Sequence, residues 1–181
     1  MRWLGLDPGE KRTGVAVSSP EGTYAIPVCV LRHRAGGPTV DDILKLVEEY
    51  RPGGLVIGLP LSMSGRPSEQ TNAAVEFARG VALHFSVTLE MPPGARELCT
   101  AEERGTGCDR AGRTAEHLRI VLWDERLSSW EAERLTEVEE TDRKKRYGKK
   151  PAIDAHAAAV ILQSFLDSLA REDRGKRPTT D

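Results

Sequence analysis

The opening stretch Trp3-Leu4-Gly5-Leu6-Asp7-Pro8-Gly9 constrains this chain more than any other: an apolar run ends on a carboxylate and turns at once on Pro-Gly. Residues 2–7 read as a strand, with Thr13-Gly14-Val15-Ala16-Val17-Ser18 as its hairpin partner. A carboxylate at the end of a buried strand costs stability unless something positive meets it. Lys11 and Arg12 stand in the same hairpin, so this end of the sheet suits a cation and a phosphate better than it suits a core.

Residues 24–31, after the Pro20-Glu21-Gly22 turn, complete an antiparallel meander. Pro27 cannot donate to a ladder, which places this third strand at a sheet edge. Past the Gly36-Gly37-Pro38 break the period changes. Val40, Ile43, Leu44, Val47 and Tyr50 share a helical face, Thr39 and Asp42 form a capping pair, and Pro52-Gly53-Gly54 stops the helix. Leu55–Pro60 reads as a strand buried on both faces. A second helix carries Ala74, Phe77, Ala78, Val81 and Phe85 and ends near Phe85.

Residues 88–117 are turn-rich and read as an insertion. Arg119–Asp124 is the next buried strand, and Ser128 or Ser129 caps a helix through about Val138. Residues 142–150 form a basic loop, and Pro151 starts a last helix from Ala152 to about Ala170. The charged tail, 171–181, is expected to be disordered. The strands that alternate with helices should run parallel to the first through right-handed crossovers. The expectation is one α/β domain over 1–170: a five-stranded mixed sheet, three antiparallel strands then two parallel, with helices on both faces.

A length of 181 residues fits one domain with a sizeable core. The net charge of −2 excludes a general polycation, so affinity for nucleic acid has to come from a local patch. Cys29, Cys99 and Cys108 form no CxxC and no regular spacing, which argues against zinc or a disulfide framework and fits a reducing cytosol. No apolar run approaches the roughly 18 residues of a membrane span. The chain enters a strand directly, so no signal peptide is expected and the location is read as cytoplasmic.

Acids recur at the ends of elements: Asp7 on the first strand, Asp124 and Glu125 on the last, Asp154 opening the final helix. Each alone has an ordinary reading, as a turn residue, a solvated partner of Arg126, or a charge satisfying a helix dipole. Parallel strands, however, bring the first and last strand ends to one edge, where ligands bind. Carboxylates gathered there repel one another unless divalent cations sit between them, and oxygen ligands suit Mg²⁺ or Mn²⁺. Two such ions about 3.5–4 Å apart activate water and stabilise the leaving oxygen of a phosphodiester. The basic loop carries Arg143, Lys144, Lys145, Arg146, Lys149 and Lys150, with Tyr147 among them, directly before the helix of Asp154. Such a run is ordinarily a solvated segment; beside a metal site it would attract a polyanionic backbone, and Tyr147 could stack on a base. His156 reads as a helix-surface residue or as a proton donor to a leaving oxygen.

Four blocks in order carry a resemblance. They are Leu4-Gly5-Leu6-Asp7-Pro8-Gly9-x-Lys11-Arg12-x-Gly14-Val15-Ala16-Val17; Val56-Ile57-Gly58-Leu59-Pro60-Leu61-Ser62-Met63-x-Gly65; Asp124-Glu125-Arg126-Leu127-Ser128-Ser129 with Glu131-Ala132; and Asp154-x-x-Ala157-Ala158-x-x-Ile161-Leu162-Gln163-Ser164-Phe165. Together these resemble the YqgF (RuvX) family of pre-16S rRNA nucleases, also described as Holliday-junction-resolvase-like. The resemblance implies an RNase H-like fold, a bacterial cytoplasmic setting, metal-dependent phosphodiester cleavage, and catalytic roles for Asp7, the acid of the Asp124-Glu125 pair, and Asp154. It also allows a homodimer, as in related resolvases. The insertion at 88–117 is outside the compact family pattern. RuvC-type resolvases, more distant relatives, place a glutamate at the end of the middle parallel strand, where this chain has Gly58-Leu59-Pro60. They often place a second acid one turn into the last helix, where this chain has Ala157.

Asp124 and Glu125 compete for one role. With one strand between the first and last, their backbones lie about 10 Å apart. Gly58 leaves room above the middle strand and a glutamate reaches further, which favours Glu125 as the metal ligand with Asp7 and Asp154; Asp124 would then orient Arg126 or a water. The first functional reading is a metal-dependent nuclease acting on RNA or on branched or single-stranded DNA, with Lys11, Arg12, Arg126 and the 143–150 cations on phosphates. The second is a non-catalytic nucleic-acid-binding module in transcription or ribosome assembly. An ATPase of the actin and sugar-kinase kind would need two such lobes, and the chain has room for one.

Overall fold

The computed structural model describes residues 1–33, 38–62, 67–92, 118–127 and 153–175. Its strands are β1 Trp3–Pro8, β2 Arg12–Ser18, β3 Ala25–Arg32, β4 Gly54–Leu59, β5 Leu89–Glu90 and β6 Arg119–Asp124. Its helices are α1 Val40–Tyr50, α2 Glu69–Phe85 and α3 Ile153–Gly175, and a 3₁₀ turn covers Glu125–Leu127. The sheet order is β3-β2-β1-β4-β6-β5. The first three strands form an antiparallel meander, and β1, β4 and β6 run parallel.

This is the expected mixed sheet with one strand more than the five expected. Leu89–Glu90 pairs in parallel with β6, inside the stretch read as the start of an insertion. Two residues are too few for an alternating pattern to register. The pairing is reinforced from the side chains: Arg119 donates from Nε and Nη2 to the two Glu90 carboxylate oxygens, each at 2.8 Å. At the opposite edge β3 carries Pro27, as its missing donor requires. The register there steps from Val15↔Cys29 to Ala16↔Pro27, so Val28 is the extra residue of a bulge.

Alternation along the strands sorts the side chains into two layers. Leu4, Leu6, Val15, Val17, Leu55, Ile57, Leu59, Ile120 and Leu122 pack with Ile43, Leu46, Ala74, Ala78, Val81 and Phe85 of α1 and α2. Trp3, Ala16, Val56 and Val121 face the other way and pack with Ala158, Ala159, Leu162 and Phe165 of α3. Both helices of the first layer start on capping boxes, Thr39 with Asp42 and Ser68 with Thr71. The Thr71 hydroxyl also donates to the Pro60 carbonyl, which ties the end of β4 to the start of α2. On the other layer Gln163 of α3 accepts from the Ala25 N–H at 2.9 Å and donates to the Thr23 carbonyl, clamping the entrance of edge strand β3.

The last helix runs to Gly175, past the end expected near Ala170. Arg171-Glu172-Asp173-Arg174 contains no helix breaker, and the glycine that ends it is the first. The helix expected from Ser128 or Ser129 to Val138, residues 93–117, and the basic run with Arg143, Lys144, Lys145, Arg146, Tyr147, Lys149 and Lys150 lie outside the described residues. No described helix is long and apolar enough to cross a membrane.

Two glycines set how closely α3 approaches the sheet. A Cβ on Gly5 would stand 2.8 Å from the Leu162 Cβ, and a Cβ on Gly14 would collide with the backbone carbonyl of Asp154. The first turn of α3 therefore rests on bare β2 backbone. We expect Gly14→Ala to lift that turn, costing about 2 kcal/mol or more of stability as overpacking does. Chemical denaturation measures the cost, and a stability equal to the parent protein would contradict the close seating.

Candidate active site

Three carboxylates reach the same face of the sheet from three distant segments. On β1, Leu4 and Leu6 point into the α1–α2 layer, so Asp7, next to last in the strand, faces the α3 side. On β4, Gly58 follows Val56 on that side. On β6, Val121 and Trp123 pack on the α3 side, and Glu125 continues their step just beyond the strand. Asp124 falls in step with Ile120 and Leu122 on the opposite side. The register sets Leu6 beside Ile57 and Gly58 beside Trp123, which brings Asp7, Gly58 and Trp123 to one level, with Glu125 two residues beyond.

Gly58 is a hole through which Glu125 passes. A Cβ there would stand 2.6 Å from the Glu125 Oε1 and 2.9 Å from the Ile161 Cδ1. The glutamate thus crosses over the middle strand toward Asp7, as its length allows and an aspartate's does not. Its carboxyl is pushed up to about 7, first by burial, then by the charges of Asp7 and Asp124. Asp7 is also raised, first by burial and then by Asp154. Repulsion therefore links Glu125 to Asp7 and Asp7 to Asp154.

Asp154 occupies the first turn of α3, held there by the seating of that turn on Gly14. Its Oδ2 lies 3.3 Å from the Arg12 Nε. Asp7, Gly9, Glu10, Lys11, Arg12 and Asp154 line a cleft of about 290 Å³. The turn that shapes it closes with a Gly9 N–H to Arg12 carbonyl bond of 2.9 Å. His156 is half-buried in the same turn of α3.

Asp124 has a different role in the geometry. It is 7% exposed and is clasped by the residue two positions on. Arg126 donates to it from its backbone N–H at 3.0 Å, from Nε at 3.0 Å, and from Nη2 at 2.7 Å. Arg126 also donates from Nη1 to the Ser62 carbonyl at 3.4 Å, joining the end of β6 to the segment after β4. Asp124 and Arg126 form a buttress under the turn that carries Glu125.

Among the described residues no three His, Cys, Asp or Glu side chains close into a ready cation cage. The donor set itself suits a hard divalent cation: carboxylate oxygens, mutually repelling and partly desolvated, whose protonation falls when a positive charge arrives. Gly14 is the contributor the sequence reading missed; its signal was a glycine interrupting an otherwise apolar strand.

Comparison with known proteins assigns the chain. The RuvX family model, described as Holliday junction resolvase, matches residues 1–108 and 101–168. The chain belongs to the RuvX family. Its relatives include proteins of Bacillus thuringiensis (strain Al Hakam) and Bacillus anthracis (strain A0248), each 36% identical over 170 residues, covering 93% of this chain and 99% of the relative; both bear the name "Putative pre-16S rRNA nuclease". Among solved structures, a T. thermophilus RuvC in complex with a Holliday junction substrate matches 94% of this chain and 96% of its own at a TM-score of 0.52 and 16% identity. That likeness is one of fold, and it bears out the RNase H-like expectation. The two segments matched to the RuvX model meet inside 93–117, within the stretch read as an insertion.

Proposed function

We propose that this RuvX-family chain hydrolyses phosphodiester bonds of nucleic acid with divalent cations, Mg²⁺ or Mn²⁺, held by Asp7, Glu125 and Asp154. The observation that carries the reading is the gathering of these three carboxylates, from β1, the end of β6 and α3, onto one face beside a hairpin bearing Lys11 and Arg12. When bound, such ions neutralise charge at the phosphoryl group and acidify water for attack. Lys11 and Arg12 hold backbone phosphates over the carboxylates, and Arg126, fixed by Asp124, stands at the same end of the sheet. The names borne by the relatives and by the family model support pre-16S rRNA maturation or junction resolution as the setting, and a cytoplasmic location is part of the same proposal. The cations at Arg143, Lys144, Lys145, Arg146, Lys149 and Lys150 would extend the phosphate contacts. A four-way junction calls for a homodimer with two sites facing opposite strands, whereas an RNA substrate needs one.

Profiling the purified protein on structured RNA, single strands and four-way junctions, with Mg²⁺ and with Mn²⁺, tests this directly. Cleavage of at least one substrate that stops on chelation is the expected result; no cleavage of any would overturn it. The Arg12–Asp154 pair favours one other reading, a binding module in which Asp154 anchors the hairpin rather than an ion. That reading predicts binding without turnover in the same experiment. Asp124→Asn discriminates the roles of the neighbouring acids: we expect a loss of about 10-fold or less in cleavage, together with lower stability, because a charge-assisted clasp is weakened rather than a ligand removed.

A further inference from the structure

Edge strand β3 ends on Arg32, and the register places it directly across from Arg12 of β2. Residues opposite one another in a ladder share a face of the sheet, so both guanidinium groups rise on the α3 side, where Arg12 meets Asp154. Both residues are exposed. Among the described residues Arg12 is held by Asp154, while Arg32 makes no ion pair. Like charges set opposite each other in a sheet are destabilising, and β3 has no strand beyond it. The two arginines therefore form an open cationic step leading from the carboxylate cleft out over the sheet edge. A planar guanidinium fork matches the oxygens of a phosphodiester.

We propose that Arg32, with Arg12, forms a binding subsite for a nucleic-acid backbone phosphate adjacent to the carboxylate cleft, so that the substrate strand leaves the site across the β3 edge. This rests on the nuclease reading above and adds a residue and a direction to it. The subsite binds without chemistry, so it is measured apart from turnover.

The probes are a fluorescently labelled single-stranded RNA and a labelled four-way DNA junction, titrated with the full-length protein in EDTA at several salt concentrations. For Arg32→Gln we expect Kd to rise about 3- to 10-fold on the probe the parent protein prefers, and the log–log dependence on salt to flatten by about 0.7 for the single strand. Arg32→Lys should recover the salt dependence and part of the affinity, because it keeps the charge and loses the fork. Lys45→Gln, on the exposed side of α1 in the other layer, should change neither. Under turnover Arg32→Gln should raise KM with kcat nearly unchanged. Affinity and salt slope in Arg32→Gln equal to those of the parent would overturn the subsite and leave the nuclease reading standing. Binding by neither the parent nor the variant would overturn the subsite, and absence of cleavage by the parent with Mg²⁺ and Mn²⁺ would overturn both.

Discussion

Asp7→Asn is expected to lower metal-dependent cleavage by about 1,000-fold or more while leaving the fold intact. The size follows from the place of Asp7 at the centre of the carboxylate chain. It is the larger of the two charges that raise Glu125, and Asp154 acts on it in turn. On the proposed function, replacing it removes one of the three carboxylates that would hold a cation, and the members of such a unit fail together rather than additively. The asparagine keeps the shape of the strand end, so far-UV circular dichroism should match the parent and thermal unfolding should be no lower. Burial and Asp154 both raise the Asp7 carboxyl, so the neutral amide should be tolerated well in the metal-free protein. Cleavage within about 10-fold of the parent would remove Asp7 from the machinery.

Glu125→Gln carries the second large effect, and it separates function from stability. In the folded protein this carboxyl titrates near 7, above its ordinary 4.5. The native state therefore holds the proton more tightly than the unfolded chain between those values. Stability associated with Glu125 is fully present below about pH 4.5 and is lost as the pH rises through 7. At pH 8 the ionised glutamate is a net cost, of about 2 kcal/mol after allowance for its partial exposure. The glutamine variant should then unfold about 5 °C higher than the parent at pH 8 in EDTA. At pH 4.5 the two should unfold together. On the proposed role of Glu125 in holding a cation, cleavage should nevertheless fall by about 1,000-fold. A variant less stable than the parent at pH 8, or one fully active beside an inactive Asp124→Asn, would assign the role to Asp124 instead.

Much of this arrangement is legible in the sequence. The meander, the capping pair at Thr39 and Asp42, the edge position of the Pro27 strand and the parallel strands after it follow from local chemistry and period. Reach across Gly58 favours Glu125 over Asp124 as the acid that extends toward Asp7, and the packing of β6 places it on that side. Val121 and Trp123 pack against α3 while Ile120 and Leu122 pack against α1 and α2, so parity alone sends the two acids to opposite faces. That signal was present in the sequence. Two other features were not legible there. Strand β5 owes its existence to pairing with β6 and to the Arg119–Glu90 bridge, which are long-range contacts with no local pattern. The Arg12–Arg32 step depends on a register that includes a bulge at Val28, and a bulge changes which residues face one another without altering composition. The end of α3 lies beyond its apolar stripe because charged helix formers continue it to Gly175.

Whether these carboxylates bind a divalent cation is decided by calorimetric titration of Mn²⁺ into the metal-free protein at pH 8, repeated on Glu125→Gln and on Asp154→Asn. Saturable binding is expected in the parent, lost or weakened by about 10-fold or more in each variant. Binding of equal strength in all three proteins, or none in the parent, would contradict it.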